Sequence, residues 1–145
     1  MLMDNASSEY LYLWEFFVGK AEQTMALFNT VFDPTLTFAL NIVKESALGS
    51  FDALSILLCI RMTTEHQKVM QHRRAPCLDN FLNQLQLTLW PRFQQLMDRH
   101  IQSVQGTGNS ANDAQAHLIA RRYGEFATSI LTLNDTYEDP LVYNR

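Results

Sequence analysis

Residues 78–104 read Leu-Asp-Asn-Phe-Leu-Asn-Gln-Leu-Gln-Leu-Thr-Leu-Trp-Pro-Arg-Phe-Gln-Gln-Leu-Met-Asp-Arg-His-Ile-Gln-Ser-Val, and their pattern sets the fold class. Leu78, Leu82, Leu85, Leu89, Phe93, Leu96 and Met97, then Ile101 and Val104, recur mostly at steps of three or four, which places them on one face of a long helix. Pro91 interrupts that face. It removes one backbone hydrogen bond and crowds the preceding turn, so a kink beside Trp90 or two abutting helices is expected. Trp90 and Phe93 read as core.

Working outward, the neighbouring segments are helical too. Residues 51–74 carry Phe51, Leu54, Leu58, Met62 and Val69 at helical spacing, widened by Leu57, and then fade into polar residues. Arg73 and Arg74 suit the negative end of that helix, and Pro76 marks its stop. Asp33-Pro34 reads as a start signal for a helix over about 34–48, with Gly49 at its left-handed C-terminal position and Ser50 capping the next helix. Residues 9–18, Glu-Tyr-Leu-Tyr-Leu-Trp-Glu-Phe-Phe-Val, predict a buried helix capped by Ser7 or Ser8. Its aromatics exceed what one core face needs, so part of that surface is expected to meet another helix or chain. Residues 105–115 are small and polar and predict a flexible loop. A last helix is expected over about 116–133, followed by an acidic turn-like stretch.

With 145 residues, 47% hydrophobic and 18% charged, the chain has the composition of one folded domain rather than a disordered tract. Five Gly and four Pro supply few of the turns an all-β fold needs. The expected architecture over 1–145 is therefore all-α, a helical bundle of about five to six helices with one long, Pro-kinked member. No unbroken apolar run approaches the roughly 20 residues of a membrane span, so no direct membrane span is expected. The start Met1-Leu2-Met3-Asp4 lacks the positive charge of a secretory signal. Asn5-Ala6-Ser7 and Asn134-Asp135-Thr136 match the glycosylation pattern by chance on this reading.

Charge is uneven: residues 1–60 are net −5, residues 61–122 net +4 and the remainder net −3. Nucleic-acid modules carry a stronger basic excess interleaved with aromatics, so no nucleic-acid partner is expected. Gly106-Thr107-Gly108-Asn109-Ser110-Ala111 fits a dinucleotide fingerprint only in letters, because a helix rather than a strand precedes it. His66, His72, His100 and His117 lack ligand spacing, and Cys59 and Cys77 form no Cys-x-x-Cys pair, so neither a metal nor a cofactor is expected. Cys59, in an apolar run, reads as a buried inert thiol and Cys77 as the more exposed one. No nucleophile elbow is present, and no catalytic residue is assigned.

Leu89-Trp90-Pro91-Arg92-Phe93, then Gln102-Ser103-Val104, a polar loop, and Arg121-Arg122-Tyr123-Gly124-Glu125-Phe126 closely resemble the vacuolar protein sorting-associated protein 52 family. Glu9 to Phe17, Leu58-Cys59-Ile60 and Pro76-Cys77-Leu78-Asp79 add collinear matches, so the resemblance runs from Glu9 to Asn134. It implies a non-enzymatic subunit of the Golgi-associated retrograde protein tethering complex, part of a larger stacked-helix tether. Such a subunit acts in endosome to trans-Golgi network transport and endocytic recycling. The implied partners are sister subunits, a Rab-family small GTPase and SNARE proteins, and the implied location is the cytoplasmic face of the trans-Golgi network and endosomes, peripheral to the membrane. Family members are several times longer, so the chain is expected to be an excerpt.

Arg73, Arg74, Arg121, Arg122 and Tyr123 are the candidate partner surface. Within it, Arg121 and Arg122 either anchor the last helix by pairing with acidic residues such as Glu125, the favoured role, or contribute to that surface with Arg73 and Arg74. A rival reading is a small helical ligand-binding or metal-dependent enzyme bundle using the aromatic helix and a histidine.

Overall fold

The computed structural model describes residues 2–107 and 113–135. They form five helices, α1 (Leu2–Phe16), α2 (Ala21–Gly49), α3 (Ala53–His72), α4 (Asp79–Thr107) and α5 (Asp113–Asp135), with a single 3₁₀ turn, Pro76–Leu78, before α4. No strand occurs among the described residues, and the all-α expectation holds.

α1 starts well before Ser7. Leu2, Met3, Ala6, Tyr10 and Leu13 recur at helical spacing and pack on one cluster, and that packing outweighs the local cap signal. Ser7 sits inside the helix, buried, with its hydroxyl donating to the Asp4 carbonyl at 3.1 Å. The helix is not buried all round, as its composition predicted: Tyr12 is 67% and Phe16 76% exposed. It ends where the Gly19 amide bonds the Trp14 carbonyl at 2.9 Å and the Val18 amide bonds that of Glu15 at 3.1 Å. This paired C-terminal lock puts Val18 in the left-handed region, φ 51°, a position that favours glycine.

Asp33-Pro34 starts no helix. α2 runs through it, because Met25, Phe28 and Phe32 before the proline and Leu36, Leu40 and Val43 after it all pack on the same cluster. That packing offsets the lost hydrogen bond of Pro34. Gly49 is the last helical residue and not left-handed, since extended Ser50 (φ −80°, ψ 138°) terminates the helix instead. The cap of α3 is Asp52 rather than Ser50: its carboxylate accepts from the amides of Leu54 (3.0 Å) and Ser55 (3.3 Å).

By length and composition α2 is apolar enough to cross a membrane, and 11% of its most apolar stretch is buried. Unbroken apolar runs do not reveal this, because Thr, Asn and Asp33 interrupt the hydrophobic residues without making the helix polar.

α3 and α4 form an antiparallel hairpin, the Gln67 side-chain amide meeting Asn83 at 3.0 Å and that of Gln86 meeting Thr64 at 2.9 Å. The buried face of α3 is Ala53, Ile56, Leu57, Ile60, Thr63 and Met70. The predicted stripe is corrected: Phe51 precedes the helix, and Leu58 and Met62 are exposed. Apolar residues surround the first half of α3, so spacing alone did not orient it. The thiols are exchanged as well. Cys59 lies on the outer side of α3, whereas the 3₁₀ turn tucks Cys77 under α1, 6% exposed, with Sγ 3.9 Å from the Ala6 carbonyl.

α4 is one continuous helix through Pro91, so the two-helix alternative falls. Leu78 in the preceding turn and Leu82, Leu85, Leu89 and Leu96 of α4 are buried as predicted; Ile101 and Val104 are exposed. Trp90 is 46% exposed rather than core, while Phe93 packs partly buried. Of the residues expected to form the 105–115 loop, those to Thr107 belong to α4 and those from Asp113 to α5. Residues 108–112 and the acidic stretch from 136 lie outside the described residues, as does the side chain of His117.

The core has two lobes. One gathers Ala6, Tyr10, Phe28, Leu36, Met70, Leu78 and Leu82; the other gathers Ala47, Ala53, Ile56, Ile60, Leu89 and Leu96, with Phe126 of α5 against it. Val43 of α2 touches both.

Candidate interaction surface

The five basic and aromatic candidates separate into two groups. Arg73 caps the C-terminus of α3 and reaches back to α1, donating to Asp4 Oδ1 at 2.9 Å and Ser7 Oγ at 2.8 Å. Its neighbour Arg74 takes the left-handed position, φ 53°, of a second paired lock, with the Ala75 amide on the Met70 carbonyl at 3.1 Å. Arg121 Nε lies 3.0 Å from Glu125 Oε1 on the exposed side of α5, the local pairing favoured from the sequence. Arg122 is exposed and Tyr123 65% exposed.

These groups are far apart. Phe126, within two turns of Arg121, packs with Ala53, Ile56 and Ile60, whereas Arg73 lies 13 residues beyond Ile60, roughly 20 Å along the helix axis. One continuous patch of all five is not formed. Both ion pairs are solvent-exposed, and exposed pairs of this kind contribute little to stability.

Spacing rules did not find Arg92. It is 8% exposed, with Nε 3.1 Å from the Ala47 carbonyl, one terminal nitrogen 2.7 Å from the Ser50 carbonyl and the other 3.4 Å from Gln95 Oε1. Among the described residues no carboxylate forms an ion pair with it. The C-terminal carbonyls of α2 and the face of Phe51, 5.7 Å from the guanidinium carbon, take that role. Arg99, two turns on, stands 5.9 Å from the same ring. The two segments that carried the resemblance thus meet at one end of the molecule: Arg92 clamps the α2–α3 junction, and Phe126 packs beside it with its ring 5.3 Å from that of His100.

The surface is rich in exposed apolar side chains. On α1 these include Tyr12, Phe16 and, just past the helix, Val18; on α2, Leu27, Val31, Phe38 and Ile42; on α4, Leu87 and Trp90. Scattered exposed hydrophobics are ordinary, but rows of them on successive helices mark contact surfaces. A groove of about 210 Å³ between α2 and the start of α4, lined by Asp33, Leu36, Cys77 and Phe81 among others, is smaller than the roughly 300 Å³ at which small-molecule sites begin. Among the described residues no three His, Cys, Asp or Glu side chains are placed to hold a metal ion.

A model of the Vps52 C-terminal family matches residues 1–145. The chain is 33% identical over 138 residues to the vacuolar protein sorting-associated protein 52 homolog of Rattus norvegicus, covering 93% of this chain and 19% of that protein. It is 34% identical over 142 residues to protein 52 A of Arabidopsis thaliana, covering 96% and 19%. With the Schizosaccharomyces pombe protein 52 it is 30% identical over 147 residues, covering 97% and 29%. The chain therefore spans about a fifth to under a third of the length of these relatives. No solved structure matches it.

Proposed function

The chain belongs to the Vps52 C-terminal family, and from that premise we propose that it is part of a non-enzymatic subunit of a multisubunit vesicle-tethering complex. The subunit acts in retrograde transport from endosomes to the trans-Golgi network and in endocytic recycling. It works through protein contacts with sister subunits, a Rab-family small GTPase and SNARE proteins, held peripherally at the cytoplasmic face of those membranes. The family match over the whole chain carries this reading. The rows of exposed apolar side chains favour a scaffold whose work is done by surfaces. On the candidate residues, the proposal is two separate contacts, one at Arg73 and Arg74 and one at Arg122 and Tyr123 with Arg121.

The test is affinity capture from cell extract with the chain as bait, beside an Arg121→Glu/Arg122→Glu variant checked for helicity. Recovery of tethering subunits, a Rab GTPase or SNAREs supports the reading, and selective loss in the variant places the α5 patch at a contact. A folded bait that recovers none of them, or that retains a metal or small molecule through purification, favours the ligand-binding or enzyme reading.

A further inference from the structure

α5 is lightly held. Among its side chains at 118–133 none is fully buried. The half-buried ones include Ile119, Phe126, Ile130 and Leu133, which at 100° per residue fall within a stripe about 60° wide. Among the described residues, Phe126 is the α5 side chain that packs on a buried lobe of the core. Residues 120–125 are all exposed, about one and a half turns of helix. Arg122 and Tyr123 stand on the docked side at that level and are exposed nonetheless, so the helix lifts off the body there. The Arg121 and Ser129 side chains bond Glu125 within the same helix. Gly124 weakens the helix further. A side chain there would meet no neighbouring atom within 4 Å, so no close approach requires glycine, and glycine disfavours a helix interior relative to alanine.

The body is tied together without α5. Gln67 and Asn83 join α3 to α4, as do Gln86 and Thr64, and Arg92 binds α4 to the end of α2. An element with few buried contacts opens at low cost while the rest stays folded. We propose that α5 is a latch: it releases from the α3–α4 hairpin with both lobes intact, and the seat it leaves takes an amphipathic helix of another protein. The present occupant states the chemistry of that helix. An aromatic side chain stands where Phe126 packs on the lobe of Ala53, Ile56 and Ile60, beside the His100 ring at 5.3 Å. Aliphatic side chains follow four and seven residues on, where α5 has Ile130 and Leu133. α5 in place blocks the seat, and the fraction of open molecules scales the partner's apparent affinity. The inference rests on the packing of α5 and is independent of the tethering reading.

Hydrogen exchange of the 145-residue chain in low urea, read by mass spectrometry, tests the release. Amides of 126–133 are expected to exchange through an opening at least about a hundredfold more populated than the one that exposes α3, with little dependence on urea. Phe126→Ala is expected to speed that exchange by at least about tenfold and leave α3 unchanged. Gly124→Ala is expected to slow it about fivefold. A labelled peptide of residues 118–135 serves as the probe for the seat. It is expected to bind the Phe126→Ala chain, shown folded by circular dichroism, at least about tenfold more tightly than the wild-type chain. The same peptide carrying Phe126→Ala is expected not to bind. Exchange of α5 and α3 at one rate with one urea dependence overturns the latch, as does exchange of α5 as fast as in the free peptide. A peptide that binds neither chain, or both equally, overturns the seat.

Discussion

Arg92 holds three parts of the chain with one guanidinium: the last turn of α2, the extended residue after it, and its own helix. Truncating it leaves the Ser50 carbonyl without this donor and the end of α2 without a counter-charge. Arg92→Ala is therefore expected to lower stability by about 2–3 kcal/mol, read as a shift in urea midpoint at constant slope. Arg92→Lys cannot reproduce the fork and is expected to recover less than half of that. The two thiols give a second test. Burial pushes the Cys77 thiol up to about 11 from an ordinary 9.0. The folded state thus keeps its proton longer than the unfolded chain, and that part of the stability is intact below about pH 9 and is lost as pH rises toward 11. Replacing the thiol, as in Cys77→Ala, is expected to flatten this alkaline loss, and in the native protein a maleimide at neutral pH is expected to label Cys59 quickly and Cys77 only as the protein opens. Neither assignment was legible in the sequence. Apolar neighbours surround Cys59 in sequence, yet it faces out of α3, and nothing local to Arg92 says that a helix end from 45 residues earlier closes over it.

Each helix end shows which local signals prevailed. Asp52 caps α3, and hydrogen bonds from the Ser55 hydroxyl and amide, then the Leu54 amide, hold its carboxyl below the ordinary 3.8. Its pH-dependent contribution is complete above that value and vanishes as acid protonates it. Asp52→Ala is expected to cost about 1 kcal/mol at neutral pH, with no difference from wild type in strong acid. Val18 and Arg74 occupy left-handed positions that tax any side chain, the branched valine most. Val18→Gly and Arg74→Gly are each expected to raise stability by about 0.5–1 kcal/mol in denaturant melts, the strain relieved exceeding the added freedom of the unfolded chain. The long α4 was legible because leucines recur along one side and nothing else competes. α2 was not: Asp33-Pro34 is a strong local start signal, and only the packing of Met25 to Phe32 on the first lobe, a contact with distant residues, carries the helix through it. The Ser7 cap failed for the same reason.

At the scale of the molecule, helical class was readable from scarce turn residues and three-to-four spacing, and family membership from two motifs that the fold brings to one end of the bundle. The partner surface was less readable. Four arginines looked like one basic region in the sequence, but the length of α3 separates them, and one is committed to Asp4 and Ser7. The exposed apolar side chains of α2, Leu27, Val31, Phe38 and Ile42, lie on both sides of a proline that reads locally as a helix start. The proposed role requires this chain to do the work of the matching part of a Vps52 tether subunit. The most direct measurement replaces that segment of the Schizosaccharomyces pombe protein 52 with this chain in cells. Recovery of the sister subunits on the chimera, together with correct sorting of a vacuolar protein, is the predicted result. A chimera that is folded and abundant yet leaves sorting as defective as deletion of the segment would contradict the claim.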